Sequence, residues 1–273
     1  MTGARDRHAD YHASKALGGS TAAKIGASCL RDALVPVEPS DAIRIGSCVD
    51  LRWLERMTGG EVYALPPDVN ARTKEGKAAI AEWRAEVERE GLYTFDRNAV
   101  DCVARLERTV QALAGHRLAE TMRRASKVQE AMTWTETIDG GTLDCKGLID
   151  MAPEHADGRD LFDLKTTWGE ISPRAVRNLF YRRGYHYQLA HYRRGMRANG
   201  PDPVTCGLIV AQTNAPHGVE VFALDRDSLD AAEMELVHSI YPKYAAHLLG
   251  ADPYAGHGEL GSNGLEPVHT ITL

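Results

Sequence analysis

The chain has 273 residues, of which 43% are hydrophobic and 26% are charged, and its formal net charge is −6 at pH 7. This length and composition indicate a globular protein with a substantial core and exclude a low-complexity chain. The sequence contains no apolar run of about 18 residues and no apolar segment near its first residues, so we expect no membrane span and a cytoplasmic location. The five cysteines are scattered and form no CxxC pair, which favours reduced, buried thiols over a zinc or iron–sulfur site.

The N-terminal part of the chain is predicted to be helical. One helix is expected to begin after Gly18-Gly19, with Ser20 or Thr21 as its N-cap. Another is predicted from Ser40-Asp41 to about Met57. Its apolar residues recur at helical spacing and define an expected core face, namely Ile43, Ile45, Val49 and Trp53.

Asp50 is a polar residue inside this apolar pattern. As a carboxylate it offers hard oxygen ligands to a cation. The alternative is that Asp50 lies on the surface and pairs with Arg52 or with another arginine. The sequence leaves both alternatives open.

The next part of the chain changes from helix to strand. Residues 60–66 suggest a short strand, and an amphipathic helix is expected from Thr73 onward. A longer helical region is predicted from Phe95 to about Ala125, with a break near Gly115-His116. Alternating apolar and polar residues then predict a strand from Val128 to Ile138.

A hairpin is predicted over residues 139–165, with its turn at Asp157-Gly158. Because side chains alternate between the two faces of a strand, Asp163 and Lys165 project from the same face. Asp150 ends the preceding strand, and the hairpin brings it within reach of Asp163.

Two carboxylates and one ammonium that converge in this way have a chemical use. The carboxylates suit a divalent ion such as Mg²⁺, which can polarise a phosphodiester and lower the pKa of a bound water. The lysine can orient that water or offset charge that develops on the phosphate. The pattern is therefore typical of metal-assisted phosphodiester hydrolysis, and the alternative is a solvated hairpin with ordinary surface charges.

A basic segment follows the hairpin. The residues from Ile171 to Gly200 include no Asp, Glu or Lys, although the chain as a whole is acidic. Their arginines are Arg174, Arg177, Arg182, Arg183, Arg193, Arg194 and Arg197. Arginine forks match phosphate oxygens, so this segment is a candidate phosphate-backbone contact. The alternative is a solvated helix face with ion pairs to acidic segments elsewhere.

A helix is predicted from about Tyr181 to Arg197. One of its faces is formed by Tyr185, Gln188, Tyr192 and Met196. Gln188 on this otherwise aromatic and apolar face indicates a specific partner, either a ligand or a backbone group in the core. We expect His186 and His191 to face solvent or phosphate, because their spacing does not bring them together on one metal.

The C-terminal part completes the predicted α/β pattern. Two strands are expected at Val204–Gln212 and Gly218–Leu224, followed by an amphipathic helix from Asp225 to about Leu249. Residues 251–273 are expected to form a flexible tail.

The hairpin and the helix after it resemble a known family. The segments CKGLID (145–150), LFDLKTT (161–167) and GYHYQLAHY (184–192) are similar to those of the PD-(D/E)xK nuclease superfamily. The resemblance is to its exonuclease VIII (RecE)-like phage recombination branch, related to lambda exonuclease. It implies these functional residues: Asp150 and Asp163 as metal ligands, the backbone carbonyl of Leu164 as a further ligand, Lys165 as the catalytic lysine, and Gln188 with Tyr192 on the following helix.

The resemblance extends to three other positions. Where the RecE-like pattern has Gly-small-x-x-His with a metal-binding histidine, residues 46–50 end in Asp50 instead, so Asp50 becomes a candidate third ligand. Glu130 matches a glutamate near the metal site of the family, or else faces water from an edge strand. Ser20 matches a serine-rich helix start and is a candidate contact for the terminal phosphate of a DNA strand, or else only a helix cap.

The fold that the resemblance implies is α/β. It has a restriction-endonuclease-like core, in which a central mixed β-sheet is flanked by helices, and a helical N-terminal part. We expect a single nuclease domain over residues 1–250, with the helical part at about 14–126 and the catalytic core at about 127–250.

The activity implied is that of a Mg²⁺-dependent DNA exonuclease, with Mn²⁺ as a substitute metal. Such an enzyme digests linear duplex DNA from 5′ ends and leaves 3′ single strands for a recombinase or single-strand annealing protein. The resemblance also implies a homo-oligomer that does not associate with a membrane. Two alternatives stay open: an endonuclease of the same superfamily, and a catalytically silent DNA-binding or assembly protein, which the missing histidine at Asp50 would favour.

Overall fold

The computed structural model describes residues 11, 13–95, 98–138, 141–153, 160–200 and 202–251. The strands are β1 (Leu17–Gly18), β2 (Ser126–Ile138), β3 (Gly141–Pro153), β4 (Asp160–Thr167), β5 (Thr205–Gln212) and β6 (Val219–Leu224). The helices are α1 (Gly19–Ala27), α2 (Leu30–Leu34), α3 (Asp41–Val49), α4 (Gly59–Val62), α5 (Lys74–Glu90), α6 (Ala99–Gly115), α7 (Arg117–Arg124), α8 (Pro173–Arg183), α9 (Tyr185–Asn199), α10 (Arg226–Glu235) and α11 (Tyr241–Leu248). π-helical turns at Asp50–Leu54 and Leu236–Ile240 extend α3 and α10.

The strands form one mixed sheet whose central member is β3. One edge of β3 pairs antiparallel with β2 from end to end, with Ser126 opposite Pro153 and Ile138 opposite Gly141. Its other edge pairs with β1 in parallel and with β4 antiparallel. β5 then lies parallel to β4, and β6 lies antiparallel to β5. The predicted mixed sheet flanked by helices is therefore confirmed.

A separate apolar cluster covers each face of the sheet. On one face, α1 and α9 to α11 pack on residues such as Ile149, Leu208 and Val210. On the other face, α3, α6 and the turn after α3 pack on alternate residues such as Met151 and Ile209. This alternation follows from the twofold periodicity of a strand, which sends successive side chains to opposite faces. Both faces are buried, so a charged group on β3 or β4 needs a specific partner.

Several boundaries predicted from the sequence are confirmed. The long helical region breaks between α6 and α7 at His116, whose side chain accepts a hydrogen bond from the backbone of α7. Thr73 caps α5, and Asp225 caps α10. The strands predicted on either side of residues 214–216 are β5 and β6. The predicted turn at Asp157-Gly158 and the tail after residue 251 lie outside the described residues.

Other predictions about local structure are wrong. The strand suggested at residues 60–66 is the short helix α4, followed by a single bridge between Tyr63 and Tyr93. Ser20 does not cap α1, because Gly18 holds the N-cap position and Ser20 lies in the first turn. Ile43 is exposed rather than in the core. His191 is fully buried rather than near solvent, and it hydrogen-bonds the Tyr241 hydroxyl and the Lys146 carbonyl oxygen.

The helix predicted from Tyr181 to Arg197 is two helices that meet at Gly184. This residue has a φ of +66°, the left-handed conformation that ends a helix. A Cβ atom placed on it would lie 2.2 Å from the carbonyl oxygen of Ala23 in α1. The bend between α8 and α9 therefore depends on a glycine that lets α1 approach the chain closely.

Within the described part of the chain, the helices are too short or too polar to cross a membrane.

Candidate active site

Most of the residues predicted to be catalytic line one open cavity of about 600 Å³. The predicted residues found there are Ser20, Asp50, Asp150, Asp163, Leu164, Lys165, Gln188 and Tyr192. They come from α1, the turn after α3, strands β3 and β4, and α9. The cavity thus collects side chains from segments that are far apart in the sequence.

The pairing of β3 with β4 brings the two aspartates together. Met151 pairs with Phe162 in an antiparallel register, which makes Asp150 and Asp163 the next opposing pair. Asp163 is almost fully enclosed, with 2% of its side chain exposed, and Lys165 forms an ion pair with it. Oδ2 of Asp163 is the oxygen in contact with this ammonium.

Asp150 is held at both of its carboxylate oxygens. Oδ1 accepts a hydrogen bond of 2.8 Å from Nε2 of Gln129, and Oδ2 accepts one of 2.8 Å from the backbone N–H of Leu164. Burial, together with the charges of Asp163 and Asp50, raises the pKa of Asp150 well above its usual value. The carboxylate is therefore fixed in position, but its charged form is disfavoured unless a cation is bound nearby.

Gln129 is a residue of the site that the sequence did not single out. It lies inside β2 with a φ of +51°, a conformation that residues other than glycine rarely adopt. The β2–β3 ladder includes the neighbouring pairs but not the pair of Gln129 with Asp150. Backbone strain of this kind costs on the order of 1–3 kcal/mol and is concentrated at functional sites. Here it accompanies the hydrogen bond that fixes Asp150.

Asp50 begins the π-helical turn Asp50–Leu54. Such turns inside α-helices occur frequently at functional sites. Burial raises the pKa of Asp50 to about 7, with Lys165 opposing the rise and Asp163 adding to it. Arg52, the alternative partner predicted for Asp50, instead forms a bidentate ion pair with Glu107. The alternative of a paired surface aspartate is therefore wrong.

Lys165 carries its proton in this arrangement. Burial alone would lower its pKa, but the carboxylates of Asp163 and Asp150 outweigh burial and raise the pKa of Lys165. Its ammonium also lies 5.1 Å from the centre of the Tyr185 ring. A protonated lysine in this position is suited to stabilising negative charge and to orienting a water molecule, and less suited to accepting a proton.

Gln188 and Tyr192 form the α9 wall of the cavity. Nε2 of Gln188 donates a hydrogen bond of 2.9 Å to the Tyr192 hydroxyl oxygen, and both side chains are buried. Burial, and then the charge of Asp163, raises the pKa of Tyr192 well above its usual value, so the phenol stays protonated. Gly19 permits this packing, because a Cβ atom there would lie 2.6 Å from the Tyr192 ring.

The structure corrects the placement of Glu130. It does not line the cavity; its side chain is 46% exposed and lies 3.9 Å from the ammonium of Lys127. Because side chains alternate along β2, its neighbour Gln129 faces Asp150 instead. The edge-strand alternative therefore describes Glu130, and its assignment as a metal ligand is wrong.

The arginines predicted to bind DNA fall into two groups. Arg193 has only 4% of its side chain exposed and is paired with Asp202, Asp230 and Glu233. Arg194 is paired with Glu136. Both are therefore structural ion-pair residues, which corrects their predicted role. The other group is exposed on α8 and has no ion pair within the described residues: Arg174, Arg177, Arg182 and Arg183.

Further residues of the cavity were not predicted as site residues. Ser47 and Tyr93 line it, and so does Tyr11. Burial, and then the charge of Asp163, raises the pKa of Tyr11 to about 12. Only the folded chain brings these residues to the cavity.

The donors in the cavity fit a divalent cation. Within the described residues no three His, Cys, Asp or Glu side chains are close enough to form a closed metal site. However, the charges of Asp163 and Asp50 both act on Asp150 and raise its pKa further than burial alone does. Buried carboxylate oxygens near a single ammonium are oxygen donors of the kind that bind Mg²⁺ or Mn²⁺. Asp150 and Asp163 would hold the ion, and Asp50 lines the same cavity.

Comparison with solved structures supports the fold. The crystal structure of a candidate exonuclease from Eubacterium rectale aligns with a TM-score of 0.54 at 13% identity, over 91% of this chain and 85% of that chain. The structure of a protein named SSO0001 aligns with a TM-score of only 0.28 at 11% identity, over 78% of this chain and 82% of that one. No curated protein sequence matches the chain.

A family model matches most of the chain. The family described as a PDDEXK-like domain of unknown function (DUF3799) matches residues 15–250, which include every residue of the cavity except Tyr11. That match agrees with the mixed sheet and with the Asp150, Asp163 and Lys165 cluster. The chain therefore belongs to this family of PDDEXK-like domains, within the PD-(D/E)xK nuclease superfamily.

Proposed function

We propose that this nuclease-fold protein is a metal-dependent DNA exonuclease that hydrolyses linear duplex DNA from 5′ ends and leaves 3′ single strands. The observation that carries the proposal is the convergence of Asp150, Asp163 and Lys165 in one open cavity. The exposed arginines of α8, which have no ion pairs within the described residues, support nucleic acid as the substrate.

Each residue of the cavity has a separate task in this proposal. Asp150 and Asp163, with the carbonyl of Leu164 and with Asp50, would hold Mg²⁺ or Mn²⁺. When bound, such an ion polarises the phosphodiester and lowers the pKa of a water ligand. Gln129 and the N–H of Leu164 fix Asp150, so that its oxygens need little reorganisation.

Lys165 and the α9 wall act on the substrate. The Lys165 ammonium offsets negative charge that develops on the phosphate and orients the attacking water. Tyr192 keeps its proton and Gln188 orients its hydroxyl, so this pair presents a fixed polar surface to the phosphate or the sugar. Ser20, at the exposed start of α1, is placed to contact a terminal phosphate together with the backbone N–H groups of that helix.

The decisive experiment measures Mg²⁺-dependent release of nucleotides from 5′-labelled linear duplex DNA by the wild type and by Lys165→Ala. We expect the variant to be slower by about 10²–10³-fold, the usual effect of removing one group that stabilises transition-state charge. Lys77→Ala, an exposed lysine on α5, is the matched control and is expected to act as the wild type does.

Three outcomes would overturn the proposal in part or in whole. Equal rates for wild type and Lys165→Ala, with folding verified by circular dichroism, would remove Lys165 from the mechanism. Cleavage of covalently closed circular duplex at a rate similar to that of linear duplex would replace exonuclease by endonuclease action. A wild type that cleaves neither substrate with Mg²⁺ or Mn²⁺ would contradict the nuclease activity itself.

A further inference from the structure

A second concave site lies outside the catalytic cavity. It has a volume of about 480 Å³ and lies between α8, the start of α9, β6 and α10. None of the described residues that line the catalytic cavity also lines this one. We call it the α8 groove, and the residues that define it in the argument are Arg177, Phe180, Tyr181, His186, Asp225 and Glu235.

One side of the α8 groove is aromatic. Tyr181 is 62% exposed, although it is a large side chain at the rim of an apolar groove. The ring of His186 lies 5.3 Å from that of Tyr181, and the ring of Tyr187 lies 4.0 Å from that of His186. The exposed ring of Tyr181, beside a buried apolar floor that includes Phe180, provides a surface for a flat ring of a ligand.

The same rim carries positive charge. Arg174, Arg177 and Tyr181 follow one another at helical spacing, so the two guanidinium groups and the ring share one face of α8. Arg177 is exposed and forms no ion pair within the described residues. A free guanidinium beside an exposed aromatic ring matches a ligand that joins a phosphate to a flat base.

The opposite wall of the groove has the reverse polarity. Asp225 accepts hydrogen bonds from the backbone N–H and the hydroxyl of Ser228, and Glu235 accepts one from the Tyr187 hydroxyl. These carboxylates would repel a phosphate and accept hydrogen bonds from the exocyclic amine of a nucleobase. The groove therefore favours one orientation of a nucleotide, with its phosphate at α8 and its base directed towards α10.

The α8 groove is also close to the proposed catalytic lysine. Its wall residue Phe180 packs edge-on against Tyr185, with 6.3 Å between ring centres. The Tyr185 ring in turn lies 5.1 Å from the ammonium of Lys165. A strand held in the groove is therefore separated from the catalytic cavity by two ring contacts.

We propose that the α8 groove binds an unpaired nucleotide of a DNA strand, with the base stacked on Tyr181 and the phosphate held by Arg177. The proposal rests on the proposed function only for the identity of the nucleic acid. Stacking needs a base that is not already paired and stacked within a duplex, so the ligand class is single-stranded DNA, and blunt duplex DNA does not fill the groove.

The test measures binding of a short fluorescein-labelled oligodeoxycytidylate by fluorescence anisotropy, in EDTA so that no metal-dependent hydrolysis occurs. We expect Tyr181→Ala and Arg177→Ala each to weaken binding by about 10-fold, the range observed when a base-stacking ring is removed. Tyr181→Phe keeps the ring and is expected to bind within about twofold of the wild type. Leu118→Ala, at a site that is 52% exposed on α7, and Arg84→Ala on α5 are matched controls that should not change the affinity.

The dependence on salt separates the two contacts. Removing Arg177 eliminates one phosphate contact and should reduce the slope of log affinity against log salt by about 0.7 for a single strand. Removing the Tyr181 ring should lower the affinity without changing that slope, because stacking releases no counterions.

Three results would overturn the proposal. Tyr181→Ala could bind the oligonucleotide as the wild type does, or could lose blunt duplex binding to the same extent, which would indicate a general backbone contact. A change in molecular mass of Tyr181→Ala by light scattering would indicate a self-association surface instead. Because binding is measured without metal, absence of hydrolysis by the wild type leaves this result interpretable and counts only against the proposed nuclease activity.

Discussion

Asp50 and Asp150 lower the free energy of unfolding of the protein when no metal is bound. Both carboxyl groups have raised pKa values, chiefly because burial removes water from the charged form. The ammonium of Lys165 opposes the rise in pKa of both carboxyl groups, but it is already in contact with Asp163. At neutral pH the folded state must therefore either keep these charges out of water or take up protons that the unfolded chain has released, and this lowers the free energy of unfolding.

Asp50→Asn is expected to stabilise the metal-free protein at pH 8. Burial raises the pKa of Asp50 from its ordinary value of 3.8 to about 7 in the fold, so its charge costs no stability below the ordinary value. The penalty grows as the pH rises from there to about 7 and then stays constant. Urea unfolding in EDTA should give a gain of up to about 4 kcal/mol at pH 8 that disappears near pH 4. A variant no more stable than the wild type at pH 8 would contradict this account.

Gln129→Ala is expected to weaken metal binding, because Oδ1 of Asp150 loses the hydrogen bond that fixes it. Loss of a hydrogen bond that orients a metal ligand typically costs about 10–100-fold in metal affinity or activity. Calorimetric titration with Mn²⁺ measures the effect directly. The matched control is the adjacent Glu130→Ala, whose exposed side chain lies outside the cavity and should leave the affinity unchanged. Similar losses in the two variants would mean that Gln129 has no special role.

The positions of Asp150, Asp163 and Lys165 in one cavity follow from the sequence, because strand alternation and a hairpin determine which side chains share a face. Gln129 was also within reach of sequence analysis. Asp139-Gly140 is a two-residue hairpin signal, and a register centred on it pairs residue 129 with residue 150. Glu130 attracted attention by its charge and by the resemblance, although it is one residue out of register with the site.

The bend between α8 and α9 gives the two helices separate tasks. α9 is largely buried and supplies Gln188 and Tyr192 to the cavity, whereas α8 exposes its arginines. Gly184 makes this division possible by its left-handed conformation and by its contact with the backbone of α1. The periodicity of apolar residues continues across Gly184, so the sequence predicts one helix where tertiary packing requires two.

Gly184→Ala tests this bend. The added Cβ would be strained at φ +66° and would overlap the Ala23 carbonyl oxygen, so we expect a loss of roughly 3 kcal/mol in the free energy of unfolding. Gly115→Ala is the control, because a Cβ there would meet no atom within 4 Å. Urea denaturation of both variants provides the comparison. A Gly184→Ala protein as stable as the control would show that the bend tolerates a side chain.

Other elements were beyond prediction for physical reasons. β1 has only two residues, Leu17–Gly18, and exists because β3 offers it an edge for parallel pairing. The apolar spacing around Asp50 does not distinguish a π-helical turn from an ordinary α-helix. For β1 the deciding interaction is with a distant strand, and local propensity carries no information about it.

Across the whole molecule, the local distribution of charge matters more than the net charge. The formal net charge of −6 would repel DNA if it were uniform. Acidic residues instead neutralise Arg193, Arg194 and Arg197 around α9, while the arginines of α8 have no ion pairs within the described residues. A second concentration of negative charge lies inside the cavity, where it would attract a cation. The basic face of α8 thus suits the phosphodiester, and the acidic cavity suits the metal ion.

Metal binding should therefore stabilise the entire fold. An ion that binds only the folded state at about 100 times its dissociation constant adds about 2.7 kcal/mol, which for a protein of this size corresponds to a rise in Tm of roughly 5–10 °C. We expect that rise when Mn²⁺ replaces EDTA in differential scanning fluorimetry of the wild type, and no rise for Asp150→Asn or Asp163→Asn. Glu130→Ala should keep the full shift, since its side chain is outside the cavity. A shift retained by both aspartate variants would place the ion elsewhere and would separate the metal from the charge cluster that we assign to it.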